Sequence, residues 1–236
     1  MDLMYFKELL QSIQIYLTEK QFDQFIKYYE MLVEKNKVMN LTAITEWDEV
    51  VLKHFVDSLT VAKYYEIKDQ RVVDLGTGAG FPGIPLKIAF PELKIVLVDS
   101  LNKRIKFLQE VIDTLKLEKI EAVHGRAEDI GRSPEYREGF DLCVSRAVAN
   151  LSTLSEYCLP LVKVNGRFIS YKAGHMEEEL ERSKQAIYRL GGKIEGVQPF
   201  ELPGSDIHRN FIIVKKENKT PKVYPRAAGK PSKEPL

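Results

Sequence analysis

The stretch Val72-Val73-Asp74-Leu75-Gly76-Thr77-Gly78-Ala79-Gly80-Phe81-Pro82-Gly83 reads as a short buried strand, a glycine-rich turn and the entrance to a helix. Further apolar runs follow at Ile95 to Val98, Ile120 to Val123, Leu142 to Val144 and Phe168 to Tyr171. Amphipathic stretches separate them, notably Leu101, Ile105, Leu108, Val111, Ile112 and Leu115. Strands alternating with helices predict a parallel sheet with both faces covered. The end differs. After a helix at about 177–190, Gly191-Gly192 leads to a strand near 193–200, and a short loop joins it to another at Phe211 to Lys216, so an antiparallel hairpin closes the sheet. The expected fold is α/β, a doubly wound, mostly parallel seven-stranded sheet with an antiparallel C-terminal hairpin.

Upstream of the strand the pattern is helical. Phe6, Leu9, Leu10, Ile13, Tyr16 and Leu17 recur at helical spacing, and Thr18 to Gln21 has the form of a capping box opening a second helix. Thr45 is placed to cap a third, whose stripe is Val50, Val51, His54, Phe55, Ser58, Leu59 and Ala62. This divides the chain into an N-terminal helical segment (1–66), the α/β domain (67–216) and a basic, proline-rich tail (217–236).

Of 236 residues, 29% are charged and 44% hydrophobic, and the net charge is +1. A grip on nucleic acid by overall charge is thereby excluded, and any such grip is local. From Lys215 to Leu236 there are seven Lys/Arg and two Asp/Glu, which leaves about −4 on residues 1–214. With four prolines among its cations, the tail is expected to bury nothing and to be mobile without a partner. Cys143 and Cys158 provide neither a disulfide framework nor a zinc site, no metal is expected, and no apolar run approaches a membrane span. A cytoplasmic protein with reduced thiols is the expectation, with no membrane attachment.

Gly78-x-Gly80-x-x-Gly83 formally fits a dinucleotide fingerprint. Two features favour S-adenosyl-L-methionine instead. Asp74 stands where a carboxylate receives an ammonium group or holds the turn beside a cationic ligand, and where it would repel a pyrophosphate. Pro82 and Pro85 remove backbone donors that phosphate oxygens would use. Asp99 ends the next strand, 23 residues beyond Gly76, where an acid accepts both ribose hydroxyls; capping the following helix is its rival role, although Ser100 is better placed for that. Ala127-Glu128 follows the third strand, within reach of an adenine.

At the fourth strand end, Ser145-Arg146-Ala147-Val148 replaces the Asn/Asp-Pro-Pro-aromatic motif of enzymes that methylate exocyclic amines. Amino methylation is therefore disfavoured. Cys143 lies inside the apolar strand and reads as core, which removes the covalent cysteine route of cytosine-C5 methylation. Arg146 can pair with a phosphate, a ligand carboxylate or a surface acid. His54 and Asp57 share a helix face, and Lys172 and Arg209 are candidates for the same cleft; the rival readings are a half-buried helix histidine for His54 and solvated surface for the other three.

Together these residues resemble the glucose-inhibited division protein B family, bacterial methyltransferases that act on guanine N7 of small-subunit ribosomal RNA. The similarity runs through Asn40-Leu41-Thr42, Lys53 to Ser58, Asp74 to Pro85, Val98 to Arg104, Ser145-Arg146-Ala147, Lys172 and Tyr224 to Pro231. The resemblance implies the methyltransferase version of the doubly wound sheet and contacts from Gly76, Phe81, Ala127, Glu128 and Arg146 to S-adenosylmethionine; Asp74, Gly78 and Asp99 complete the expected cofactor site. It implies 16S ribosomal RNA or the 30S subunit as partner; a monomer is the expectation, although the sequence does not decide the oligomeric state. Lys172, Arg209, Lys222, Arg226 and Lys230 are the candidate RNA contacts, and His54 and Asp57 the candidate catalytic pair. Two rival readings are a methyltransferase for a small molecule or protein, against which the basic tail argues, and a ribosome-assembly factor with a vestigial pocket, against which the intact glycine turn and Asp99 argue.

Overall fold

The computed structural model describes residues 1–146, 149–174 and 176–236; Ala147 of the family-like stretch lies outside them. Seven strands run β1 (Arg71–Leu75), β2 (Lys94–Asp99), β3 (Ile120–His124), β4 (Phe140–Arg146), β5 (Val162–Ala173), β6 (Gly192–Glu201) and β7 (His208–Lys216). They form one sheet in the order β3-β2-β1-β4-β5-β7-β6. The first five are parallel, and β7 pairs antiparallel with both β5 and β6, as the apolar runs and the late hairpin predict.

The helices are α1 (Leu3–Ser12), α2 (Glu19–Met39), α3 (Trp47–Val50), α4 (Asp57–Leu59), α5 (Gly83–Ala89), α6 (Asn102–Leu115), α7 (Ala127–Arg132), α8 (Leu151–Cys158), α9 (Glu177–Arg189) and α10 (Lys230–Lys233). The capping box at Thr18 and Gln21 forms as expected. Thr45 does not cap the third helix. Glu46 stands at that position without a side-chain hydrogen bond, and the Thr45 carbonyl is taken by the Tyr29 hydroxyl at 2.9 Å. Between α3 and α4 the chain winds as a π-helix over Val51–Val56, a wider turn that recurs at functional sites.

Two apolar layers enclose the sheet. One holds α5, α6 and the N-terminal helices, centred on Phe6, Phe25, Tyr28 and Phe55; the other holds Phe140, Cys143, Leu154, Cys158 and Phe168. The N-terminal segment thus shares a core with the α/β domain. It also braces the glycine turn, because the buried Tyr28 hydroxyl donates to Ala79 O at 2.6 Å. Both cysteines are buried, and burial pushes the Cys158 thiol up, which suits packing and not nucleophilic attack. Among the described residues, no helix is long and apolar enough to cross a membrane.

The tail departs from expectation. Residues 217–236 lie along α7 and α8, with Thr220, Pro225 and Pro231 buried. Composition marks this segment as unable to build its own core, but the domain supplies one.

Candidate cofactor and substrate cleft

At the C-terminal edge of β1, Asp74 is fully buried. Its Oδ2 accepts from the Thr77 hydroxyl (2.6 Å) and from Gly83 N (2.8 Å), so the carboxylate holds the turn. Its Oδ1 has no partner, and desolvation pushes the group up to about 6. A Cβ on Gly83 would strike Leu97 and Asp74, whereas one on Gly78, at φ +63°, would enter open space. Gly83 is therefore required for packing. The free space at Gly78 leaves room for a ligand to lie against the backbone.

Asp99, 3% exposed, links this turn to β2. Its Oδ2 accepts from Gly78 N at 3.0 Å and Arg104 Nη1 at 3.2 Å, and its Oδ1 from Leu101 N at 2.9 Å. No side-chain hydrogen bond caps α6, from Ser100 or from Asp99.

Two clefts meet at Gly76. The smaller, about 300 Å³, is bounded by Asp99, Ala127, Glu128, Tyr157 and Gly229. The larger, about 460 Å³, gathers Gly78, Phe81, His54, Asp57, Arg146, Lys172 and Arg209. A third cavity, of about 660 Å³ between α9 and the β6–β7 hairpin, is larger than either but does not reach the glycine turn.

Within the larger cleft the Phe81 ring is flanked by His54 and Arg146, which also meet each other, with Arg146 Nη2 3.3 Å from His54 Nδ1. His54 stacks on it with centroids 4.6 Å apart, and the Arg146 guanidinium lies 5.1 Å from its centroid. Asp57, 2% exposed, accepts from Arg146 Nη1 at 2.7 Å and from Arg209 Nε at 3.2 Å. Two guanidinium groups thus share one carboxylate, leaving one excess positive charge in the cleft. Both oxygens of the Asp57 carboxylate are thereby engaged.

The His54 Nε2 lies 2.8 Å from Thr42 Oγ1, and Thr42 is itself held by reciprocal hydrogen bonds with Asn36. Burial, then the neighbouring Arg146 charge, pushes His54 down to about 3. It is neutral at physiological pH and a feeble base.

Lys172 donates to Ala149 O and Glu179 at 2.8 and 2.7 Å. On the tail, Lys222 is exposed, as is Lys230. Arg226 is not available in the same way: it forms a two-pronged ion pair with Glu156, which is fully buried. That pairing ties the Arg226 side chain, a candidate RNA contact, to α8. Sequence reading also passed over Thr42, Arg104, Tyr157 and Gly229; all but Tyr157 carried a signal, since they lie in family-like stretches.

The family described as GidB, rRNA small subunit methyltransferase G, matches residues 21–207. The chain belongs to this family. A ribosomal RNA small subunit methyltransferase G of Lachnoclostridium phytofermentans is 55% identical over 228 residues, covering 96% of this chain and 94% of that protein. One from Bacillus licheniformis is 50% identical over 237 residues, covering 100% and 99%. Among solved structures, P. horikoshii TYW2 in complex with MeSAdo aligns with a TM-score of 0.54 at 16% identity, over 68% of this chain and 61% of that one. TrmN from Thermus thermophilus aligns at 0.52 and 16%, over 68% and 48%. At such identities the structural likeness speaks to the fold alone, that of the S-adenosylmethionine-dependent methyltransferases. As a member of the GidB family the chain is a small-subunit rRNA methyltransferase, and S-adenosylmethionine is its cofactor. The open space at Gly78 and the orphaned Asp74 oxygen fit such a ligand, a cation lying along the turn.

Proposed function

We propose that the protein transfers the methyl group of S-adenosylmethionine to N7 of a guanine in 16S ribosomal RNA by direct in-line attack, without a general base. The observation that carries this reading is the lack of a competent base among the described residues of the larger cleft. His54 is pushed down to about 3, and Asp57 is committed to Arg146 and Arg209. Guanine N7 bears an in-plane lone pair and no proton, so its attack on a sulfonium methyl needs alignment only. Positioning alone supplies about 7 to 11 kcal/mol of barrier reduction.

The cofactor, when bound, supplies the electrophilic methyl group. On this reading Gly76, Gly78 and Asp99 hold its nucleoside and amino-acid parts, with Ala127 and Glu128 at the adenine. Asp74 serves them indirectly by fixing the turn. His54 and Phe81 form an aromatic platform beside the cleft, which excludes water and orients the base. Arg146 and Arg209, steadied by Asp57, and Lys172 present cations to the RNA backbone. Asp57 is in this scheme a positioning residue.

Borohydride and aniline treatment tests the position of the methyl group, because N7-methylated guanine alone among the expected products opens and breaks the chain. RNA from 30S subunits incubated with the protein and S-adenosylmethionine is expected to break at a guanine. Methyl incorporation without any new break contradicts the N7 assignment.

A further inference from the structure

The C-terminal segment plays no part in the chemistry above, yet it is densely anchored. Thr220 donates through its hydroxyl to Leu190 O (2.7 Å) and through its amide to Glu138 Oε1 (2.8 Å). Arg137 donates to the carbonyl oxygens of Thr220 and Tyr224, both at 2.8 Å, and Arg132 Nε to that of Pro225 at 2.9 Å. Arg226 meets Glu156 through Nε (2.9 Å) and Nη2 (2.6 Å), and its amide donates to the same carboxylate at 2.7 Å. Beyond it, Thr153 Oγ1 donates to Pro231 O at 3.0 Å and Ser152 Oγ to Leu236 O at 2.8 Å.

These anchors sit on α7, α8, their flanks and the end of α9, and together they fix where Gly229 stands. Gly229 bounds the smaller cleft with Asp99, Glu128 and Tyr157, and its amide donates to Glu128 Oε1 at 2.7 Å. The larger cleft, with its arginines, faces the RNA and the transferred methyl group. The smaller one, reached past Gly76 and Asp99, is left for the adenosine end of the cofactor.

We propose that the C-terminal strap is a wall of the adenosine subsite: the buried Arg226–Glu156 pair seats it, and Gly229 closes the pocket and holds the Glu128 carboxylate in place. The inference rests on the cofactor site described above. It gives the strap two faces, Gly229 toward the cofactor and the exposed Lys222 and Lys230 toward solvent. The strap is a positioning element, since Arg226 acts through Gly229 and Glu128.

Calorimetry with S-adenosylhomocysteine and with adenosine compares the full-length protein, a chain ending at Val223, and a full-length double variant, Glu156→Gln with Arg226→Gln, which removes the charges without leaving one unpaired. Thermal unfolding of each protein without ligand monitors the fold. Both ligands are expected to bind the variants about tenfold more weakly, which is about 1.4 kcal/mol. By reciprocity, saturating S-adenosylhomocysteine should slow tryptic cleavage after Lys222 of the full-length protein by a similar factor. A merely structural strap would lower the unfolding temperature and leave both affinities and the cleavage rate unchanged, and that result overturns the proposal. If the shortened chain does not fold, the double variant and the cleavage rate decide. Failure of the full-length protein itself to bind S-adenosylhomocysteine would instead remove the cofactor site on which the inference rests.

Discussion

Replacing Asp57 by asparagine removes the one negative charge between Arg146 and Arg209 while keeping the shape of the side chain. The Asp57 side chain is 3% exposed, and those of the two arginines are 15% and 21% exposed. Breaking a buried ion pair by removing one partner costs about 3 to 5 kcal/mol. The lower end applies here, because both guanidinium groups retain some access to water. For a chain of this length, each kcal/mol lowers Tm by roughly 2 to 4 °C, so scanning calorimetry should show a fall of about 6 to 12 °C. Arg146 keeps its hydrogen bond to Lys53 O at 3.2 Å and its place over Phe81. Affinity for S-adenosylhomocysteine should therefore fall less than about tenfold. If Asp57 instead stabilised the cation forming on the guanine ring, kcat would drop by roughly a hundredfold or more with stability little changed. An unshifted Tm together with such a loss of kcat would refute the positioning role.

Other variants probe the rest of the site. Asp99→Ala removes the acceptor for Gly78 N and Leu101 N as well as the expected ribose partner, and should weaken cofactor binding by about 1 to 3 kcal/mol in calorimetry; unchanged affinity would exclude the ribose role. Arg146→Ala separates the roles open to that residue: weaker S-adenosylhomocysteine binding supports a cofactor contact, whereas loss of RNA affinity alone reassigns it to a phosphate. His54, pushed down to about 3, should give kcat/KM no acidic limb of its own between about pH 5 and 8, and a limb that vanishes in His54→Gln would contradict this. Because its folded-state value is depressed, its contribution to stability is present above the ordinary histidine range near 6.5 and is lost as pH falls toward 3. The urea midpoint of the wild type should thus fall toward that of His54→Gln, or below it, between pH 7 and pH 4.5.

Much of this fold is legible in short-range patterns. Val72 to Leu75 and Ile95 to Val98 announce buried strands because both faces of a parallel sheet are covered, and Thr18 with Gln21 announces a helix start because the capping contacts span three residues. The late hairpin follows from two strands with too little chain between them for a crossover. Contacts between distant residues leave no such trace. Arg226 and Glu156 are 70 residues apart, so composition describes a solvated tail where the fold provides a buried partner. The π-helical turn at Val51–Val56 escapes a reading based on ordinary helical spacing, although it lies just ahead of Asp57. At the site, the glycine turn and Asp99 stand out because backbone geometry demands them. The electrostatics of His54 and Asp57 do not, since these depend on Arg146 and Arg209 arriving from β4 and β7.

On the proposed reaction, the methyl group goes to guanine N7 of small-subunit RNA. The most direct test incubates the protein with isotopically labelled S-adenosylmethionine and either 30S subunits or free 16S RNA, then digests the RNA and separates the nucleosides. The label should appear in 7-methylguanosine alone, from at least one of the two substrates. Label in any other nucleoside, or none in RNA from either substrate while the protein binds the cofactor, would contradict the account.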